Sequence, residues 1–186
     1  FHFFCQSMKI TLRNFHRYIS LLISVQLLLW TISGIYFSFN KIENVRGEQY
    51  LVKGLDTLKQ SSELSEKLSF EESIKIIEER TTLNPISVVL IEDLMRGSEY
   101  RGRELPLYKV VSINEDNEEI NVYQNPFSGE VVAIRSTQWR LWDLMWGLHI
   151  MDWVDRDNIG NIWLKIFSFI ALFSSVSGIV LFFYRK

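Results

Sequence analysis

Two residue types that build many catalytic and metal sites are scarce in this chain of 186 residues. Cys5 is the only cysteine, which excludes a disulfide, a CxxC zinc site and a CxxCH haem attachment within one chain. The three histidines are His2, His16 and His149, so the long middle of the chain has no imidazole for nucleophilic catalysis or metal binding. A Gly-rich phosphate loop and an HExxH motif are also absent. Any site chemistry therefore has to use the two ends of the chain.

Acidic residues are plentiful but follow no catalytic pattern. Residues 41–161 hold all 22 acidic residues and 14 of the 20 basic ones, a net charge of −8. An acidic domain without a basic patch argues against nucleic acid as a partner. We predict that the adjacent carboxylates form a solvated face: Glu71, Glu72, Glu78, Glu79, Glu118 and Glu119.

Apolar residues are concentrated near both ends. Residues 18–39 carry no charge, and residues 162–183 carry Lys165 alone. At a rise of about 1.5 Å per residue, each segment spans roughly 30 Å, the hydrocarbon thickness of a bilayer. A signal peptide is the alternative for the first segment, but its apolar run is long and no small-x-small cleavage site follows. A buried core helix is the alternative for the second, but nothing else in the chain is apolar enough to cover it. We predict two transmembrane helices and a lipid bilayer as the first partner.

Charge predicts the orientation of these helices. Lys9, Arg13 and Arg17 precede the first helix, and Arg185 and Lys186 follow the second, with no acidic residue among them. Positive flanks stay in the cytoplasm, so we expect both termini there and the middle of the chain on the other side.

The middle of the chain predicts one helix and four strands. Ser69 to Glu72 form a capping box, followed by apolar residues at helical spacing, and the helix is expected to run to about Thr82, before Asn84-Pro85. Strand-like runs follow at residues 86–91, 107–113, 120–124 and 130–134. The link at 96–105 is charged and predicted to be flexible, whereas residues 125–129 are typical of a turn. A helix packed on a small antiparallel sheet buries the apolar face of each element.

This middle segment resembles a PepSY domain. The resemblance is carried by EESIKIIEERTTLNPISVVLIED and by YQNPFSGEVVAI, which is similar to that family's strand, D-P-x-T-G-E turn and returning strand. Here Asn125 stands where an acid is common, and Ser128 stands where Thr is.

His16 and His149 lie beside the predicted membrane helices, and two interpretations compete for each. An isolated histidine is often an interfacial residue with an apolar body and a polar tip. The alternative is an axial ligand to haem, because neutral imidazole ligates iron and ionisable groups beside membrane helices tend to be functional. The two lie on opposite sides of the bilayer, roughly 30 Å apart or more, so one chain cannot place both on one haem.

A symmetric dimer offers one solution, with His16 paired to His16 and His149 paired to His149 in a four-helix membrane bundle. Close helix packing needs small residues, and the two helices contain Ser33, Gly34, Ser174, Ser175, Ser177 and Gly178. Ser-Gly-Ile occurs in both helices, at 33–35 and 177–179, an echo too short to establish a duplication. Trp139, Trp142, Trp146 and Trp153 precede the second helix and predict an aromatic segment at the membrane interface.

The whole chain resembles the short form of the PepSY-associated transmembrane (PepSY-TM) family. The features that carry this are H-R-Y at the first helix, SG near its end, L-H before the last helix and SG within it. Larger members are inner-membrane reductases of ferric siderophores that contain haem b and have additional helices and histidines. The resemblance implies a bacterial inner (cytoplasmic) membrane protein, with His16 and His149 as candidate haem b ligands. It also implies a homodimer or a membrane partner subunit, and a ferric siderophore as a possible substrate.

A second functional hypothesis remains open, because PepSY modules elsewhere look like binding or inhibitory domains for peptidases. The chain would then be a membrane-anchored interaction or regulatory module without a cofactor. The expected fold class is α+β, with two transmembrane helices flanking an extracytoplasmic PepSY-like domain. Met8-Lys9-Ile10 is typical of a natural start, so residues 1–7 are expected to fall outside the functional chain. The predicted divisions are a cytoplasmic N-terminus at 1–17, helix 1 at 18–40, the PepSY-like domain at 41–135, the interfacial aromatic segment at 136–161, helix 2 at 162–184 and a cytoplasmic C-terminus at 185–186.

Overall fold

The chain folds into two long apolar helices at its ends and an α+β region between them. The computed structural model describes residues 2–52 and 66–183, with side chains described from residue 11 onward. The chain forms two compact units. We call residues 1–36 and 145–186 the helical unit, and residues 37–144 the sheet unit. The boundaries fall within the first long helix and within the helix that precedes the last one.

The helical unit contains most of α1 (His2–Phe39), the end of α4 (Thr137–Ile150) and all of α5 (Ile162–Phe183). Stretches Thr11–Phe39 and Ile162–Phe183 are long and apolar enough to cross a membrane. Only 17% and 11% of their most apolar stretches are buried, so most side chains point outward, as contact with lipid requires. The two predicted membrane helices are confirmed. α1 starts well before residue 18 because no proline or glycine interrupts the preceding turns.

The sheet unit is built on a four-stranded antiparallel meander. Its strands are β1 (Asn84–Ile91), β2 (Leu107–Ile113), β3 (Glu119–Gln124) and β4 (Val131–Arg135), in the order β1-β2-β3-β4. Val110 pairs with Val122, and Val122 pairs with Ile134, which stacks one apolar row across three strands. These side chains form the core with residues from the helix and its C-terminal turn: Ile77, Leu83, Val110, Ile120, Val122 and Ile134. The predicted α+β fold is confirmed.

The helix on this sheet is α3 (Phe70–Arg80), and it begins where the sequence predicts. Ser69 accepts a hydrogen bond from the Glu72 amide at 3.2 Å, and the Glu72 carboxylate accepts one from the Ser69 amide at 2.8 Å. This capping box satisfies two amides that the first helical turn leaves unpaired. The helix ends at Arg80, two residues before the predicted end, because β1 already begins at Asn84. Pro85 is tolerated there since β1 is an edge strand with a bulge between Pro85 and Ser87.

Two short helical turns follow α1, namely α2 (Ile42–Val45) and a 3₁₀ turn (Glu48–Tyr50). Leu51 forms an isolated antiparallel bridge with Thr81.

The link between β1 and β2 was predicted to be flexible, but the structure shows it packed against the sheet. Tyr100 is buried, and the Glu99 carboxylate accepts hydrogen bonds from Asn121 Nδ2 at 2.7 Å and Arg140 Nε at 2.6 Å. The Tyr123 hydroxyl donates to the same carboxylate at 3.1 Å. The prediction of a flexible link is wrong because these long-range contacts, which local composition does not reveal, hold the segment against the sheet.

The turn before β4 is confirmed. Asn125 Oδ1 accepts hydrogen bonds from the amides of Phe127 at 2.8 Å and Ser128 at 3.1 Å. Asn125 therefore performs the turn-forming role expected of an acidic side chain at this position.

Candidate functional site

His149 lies in the last turn of α4, and polar side chains of α1 hold that turn. Trp30 Nε1 donates to the carbonyl of His149 at 2.7 Å, and Gln26 Nε2 donates to the carbonyl of Leu148 at 3.3 Å. The last carbonyls of a helix have no partner within the helix, so these two donors satisfy groups that otherwise need water. Together they fix the end of α4 against α1.

The imidazole of His149 is oriented by a third side chain of α1. Ser33 Oγ lies 2.7 Å from His149 Nδ1 and 2.8 Å from the carbonyl of Leu29. A hydroxyl has one proton, and donation to the carbonyl leaves its oxygen to accept from Nδ1–H. Nε2 then carries the ring's lone pair. Burial lowers the pKa of His149, which keeps the ring neutral near pH 7.

Two indoles border this ring. Trp146 lies parallel to His149, with 6.4 Å between ring centroids and 7° between planes, and Trp30 lies at the same centroid distance with a tilt of 49°. Trp146, one of the four tryptophans in the predicted aromatic segment, thus stacks on the histidine. Trp139 and Trp142 belong to the sheet unit, and Trp153 is exposed.

The loop after His149 is built from side chains that cap the backbone. Asp152 accepts hydrogen bonds from the amides of Asp155, Asp157 and Asn158 at 3.1 to 3.2 Å. Burial acts to raise the pKa of the Asp152 carboxyl. Hydrogen bonds from the amides of Asn158, Asp157 and Asp155 outweigh burial, so the pKa lies below its usual value. Asn161 donates to the carbonyl of Ile150 at 2.7 Å, which ties the end of α4 to the start of α5.

Gly147 is required by the close packing of this loop. A Cβ at that position would lie 2.9 Å from Arg156 Cγ and 3.0 Å from the carbonyl oxygen of Asp152. Sequence reasoning identified the histidine in this segment but not the packed loop that follows it.

His16 lies near the other end of α1, and its ring is oriented in the same way by α5. Ser177 Oγ lies 2.8 Å from His16 Nδ1 and 2.9 Å from the carbonyl of Ser174. Donation to that carbonyl leaves the Ser177 oxygen to accept from Nδ1–H, and Ser20 Oγ lies 3.4 Å from Nε2 of the same ring. Ser20 and Ser174 join the same helices through hydroxyls 2.8 Å apart.

Gly178 gives the His16 ring its space. A Cβ at Gly178 would lie 3.0 Å from His16 Cε1, tighter than most Cβ contacts, and 3.5 Å from Nε2, an ordinary van der Waals distance. Glycine therefore permits the close approach of the ring to α5.

The two histidine contacts are reciprocal. The Ser-Gly-Ile of α1 holds His149, which precedes α5, and the Ser-Gly-Ile of α5 holds His16, at the start of the α1 span. This gives a physical reason for the sequence echo. Residues 16 and 33 are separated by 17 residues of α1, or about 26 Å at 1.5 Å per residue, so the structure does not bring the histidines together.

Four of the six small residues predicted for a dimer interface are used within the chain instead. Ser33, Ser174, Ser177 and Gly178 lie between helices of the same helical unit. The backbone approach they allow serves the histidine contacts, which the sequence could not distinguish from a contact between chains. Gly34 and Ser175 are exposed, and a Cβ at Gly34 would meet nothing within 4 Å.

Gln26 and Trp30 are site residues that sequence reasoning missed. A signal was present, because Gln26, Trp30 and Ser33 follow the i, i+4, i+7 spacing of one helix face in an otherwise apolar helix. His16, Ser20 and the fully buried Ile23 continue the same face toward the start of α1.

The carboxylates predicted to be solvated have mostly simple roles. Glu71, Glu78, Glu79 and Glu119 are exposed, Glu72 caps α3, and Glu118 accepts from the amide of Thr137 at 2.8 Å. Over residues 11–52 and 66–183, no group of three or more His, Cys, Asp or Glu side chains is arranged to hold a metal ion.

Comparison with known proteins agrees with this architecture. A family model described as PepSY-associated TM region matches residues 13–186, which include both histidines, the sheet unit and both membrane helices. No curated protein and no solved structure matches the chain. Since the family model covers nearly the whole chain, this membrane protein belongs to the PepSY-associated TM (PepSY-TM) family.

Proposed function

We propose that this chain is a haem b-binding electron-transfer protein of the bacterial inner membrane that supplies electrons for the reduction of ferric iron or a ferric siderophore. One observation carries the proposal. At both histidines a serine of the facing membrane helix lies within 2.8 Å of Nδ1 and also bonds to a carbonyl of its own helix, so it can hold the Nδ1–H and orient the ring for ligation through Nε2. Ligating histidines in metal sites commonly have their second nitrogen held in this way. At His16, iron would replace the contact between Nε2 and Ser20 Oγ at 3.4 Å.

The residues present would supply one imidazole ligand to a haem iron at each end of the helical unit. Gly178 leaves room for the imidazole of His16, and the stacked Trp146 borders that of His149. Each site needs a second ligand, and a second copy of the chain supplies it most simply, by pairing His16 with His16 and His149 with His149. Gly34 and Ser175 remain on the outer surfaces of α1 and α5 for such a contact.

The roles of the chain's own side chains follow from these contacts. Haem b, when bound, supplies reversible one-electron chemistry at iron. Ser33 and Ser177 hold the Nδ1 protons, Trp30 and Gln26 fix the backbone that carries His149, and the indoles limit the access of water to the ring. No acid or base is needed, in agreement with a sheet unit whose carboxylates cap helices and turns.

The topology supports the expected orientation. His16 contacts Ser177 while Ser20 contacts Ser174, so α1 and α5 are antiparallel. The start of α1 and the end of α5 therefore lie at the same end of the helical unit. With the positive flanks counted above, both termini are cytoplasmic and the PepSY-like domain is extracytoplasmic.

Absorbance spectroscopy tests the proposal. We expect full-length protein from haem-sufficient cells, purified in mild detergent, to show a Soret band and an α band that sharpens with dithionite. His16→Ala and His149→Ala should each lose haem, whereas His2→Ala, the matched control, should keep the spectrum. A folded but colourless protein would overturn the redox proposal and favour the anchored interaction module.

A further inference from the structure

The sheet unit contains a cavity that the proposed electron transfer does not use. The cavity has a volume of about 380 Å³ and lies among α2, β4 and α4. Three of its lining residues are arginines, Arg46, Arg103 and Arg135, and two are tryptophans, Trp139 and Trp142. None of the described residues that line it is acidic. Three positive charges thus converge on a small, partly apolar space.

Arg135 is the anchor of this cluster. Its side chain is buried to 8% exposure, and its guanidinium donates to the carbonyls of Glu99 at 2.9 Å and Ile134 at 3.1 Å. Both acceptors are uncharged. Its carbon Cζ lies 4.3 Å from the ring centroid of Trp139, a stacking contact that fixes the plane of the guanidinium.

The positive charge here is incompletely neutralised. Burial, and then the charge of Arg103, lower the pKa of Arg135 to about 10. The carboxylate of Glu99 opposes this effect, but it is already engaged by Arg140 at 2.6 Å. Within the described part of the chain, neither Arg46 nor Arg103 has a side-chain hydrogen bond or ion pair. Guanidinium groups that have no carboxylate partner are suited to bind oxyanions through charge-assisted hydrogen bonds.

We propose that this cavity binds a ligand carrying carboxylate or phosphate groups, with Arg135 as the fixed contact and Arg46 and Arg103 closing on the anion. The indole of Trp142 and the aliphatic side chains that line the cavity suit the organic part of such a ligand. The proposal is independent of haem binding.

Two sources can supply this chemistry. One is a soluble organic anion such as a polycarboxylate. The other is a lipid headgroup, because Ile42, which lines the cavity, follows the last residue of α1 by three residues, at most about 10 Å of extended chain.

The experiment compares wild type, the double variant Arg46→Gln/Arg103→Gln, and Lys75→Gln, which removes an exposed charge from α3. Isothermal titration calorimetry of the full chain in phosphatidylcholine nanodiscs measures binding of citrate and of inorganic phosphate. Native mass spectrometry measures retention of phosphatidylglycerol against phosphatidylcholine. Both substituted arginines are exposed, so the variants should fold, and circular dichroism checks this.

Saturable binding of citrate or phosphate that weakens at least about tenfold in the double variant, but not in Lys75→Gln, supports a soluble ligand. Retention of phosphatidylglycerol that only the double variant loses supports a headgroup. The proposal is overturned if no probe binds saturably, or if the double variant binds as tightly as Lys75→Gln. The Soret band is recorded on the same samples, so failure here is distinct from failure to bind haem.

Discussion

The two units of this protein bury polar groups in different ways. In the helical unit, the buried polar side chains Gln26, Ser33, Ser174 and Ser177 connect one helix to another. In the sheet unit, an apolar core lies beside a separate polar network around Glu99. Between lipid and protein there is little hydrophobic gain to hold helices together, so hydrogen bonds and close packing specify the contact. In the sheet unit, the removal of apolar surface from water holds the helix and the sheet together.

This difference explains why the histidines lie where they do. A few polar contacts determine how the membrane helices pack. The same serines that join the helices also orient the two imidazoles. The sheet unit gains its stability from its apolar core, so the arginines on its surface are available to bind a ligand. The following variants separate the two kinds of stabilisation.

The largest effect is expected from the apolar core of the sheet unit. Ile77 is fully buried, and Ile77→Ala should lower the free energy of unfolding of that unit by about 2 to 5 kcal/mol, from lost burial and the cavity left behind. Denaturant unfolding followed by circular dichroism measures this. Ile86→Ala, at a residue with 60% exposure, is the control. A loss of haem absorbance in folded Ile77→Ala would contradict the separation of the two units.

The Glu99 network is expected to contribute less, and its contribution should depend on pH. Glu99→Gln should cost about 1 to 3 kcal/mol, because buried partners lose a charged acceptor. Burial alone raises the pKa of Glu99, but hydrogen bonds from Asn121 and Arg140 lower it below its usual 4.5. The stabilisation is therefore complete above pH 4.5 and declines as the pH falls from there through the lowered pKa.

Stability measured against pH tests this assignment. The wild-type protein should lose stability below that pH more steeply than Glu99→Gln. If the free energy of unfolding falls equally with decreasing pH in the two proteins, Glu99 does not cause the loss of stability in acid.

The smallest effect on stability, but a specific effect on the site, is expected from Ser33→Ala. Loss of one interhelical hydrogen bond in a membrane costs about 0.6 kcal/mol. If His149 ligates haem, loss of the acceptor for its Nδ1–H should weaken haem affinity about tenfold or more and raise the midpoint potential, since the imidazole becomes a weaker donor.

The matched control for this variant is Ser24→Ala. Ser24 is exposed and, among the described residues, bonds to the Leu21 carbonyl of its own helix at 2.8 Å and to no other helix, so its removal should leave affinity and potential unchanged. Ser33→Thr should restore the potential. Equal behaviour of Ser33→Ala and Ser24→Ala would remove Ser33 from the site.

Elements defined by local signals could be predicted from the sequence. The capping box at Ser69, the turn at 125–129 and the long apolar helices each depend on residues close together in the chain, and all three are confirmed. The interpretation of His16 and His149 as haem ligands stays a prediction, as do the domain divisions at 41–135 and 136–161.

Features that join distant residues could not be predicted. Ser33 and His149 are 116 positions apart, and nothing local marks which serine holds which histidine. Glu99 is one of two acids in a charged link, and only the folded sheet brings Asn121 and Arg140 to its carboxylate. The arginine cavity likewise gathers residues from separate elements of the sheet unit.

The reduced-minus-oxidised difference spectrum, with haem counted per chain, tests the central claim most directly. Two bis-histidine sites shared by two chains predict about one haem b per chain in the wild-type protein, with ligation lost at one site in His16→Ala and at the other in His149→Ala. A folded wild-type protein that binds no haem, or a spectrum unchanged by both substitutions, would contradict the assignment of His16 and His149 as ligands.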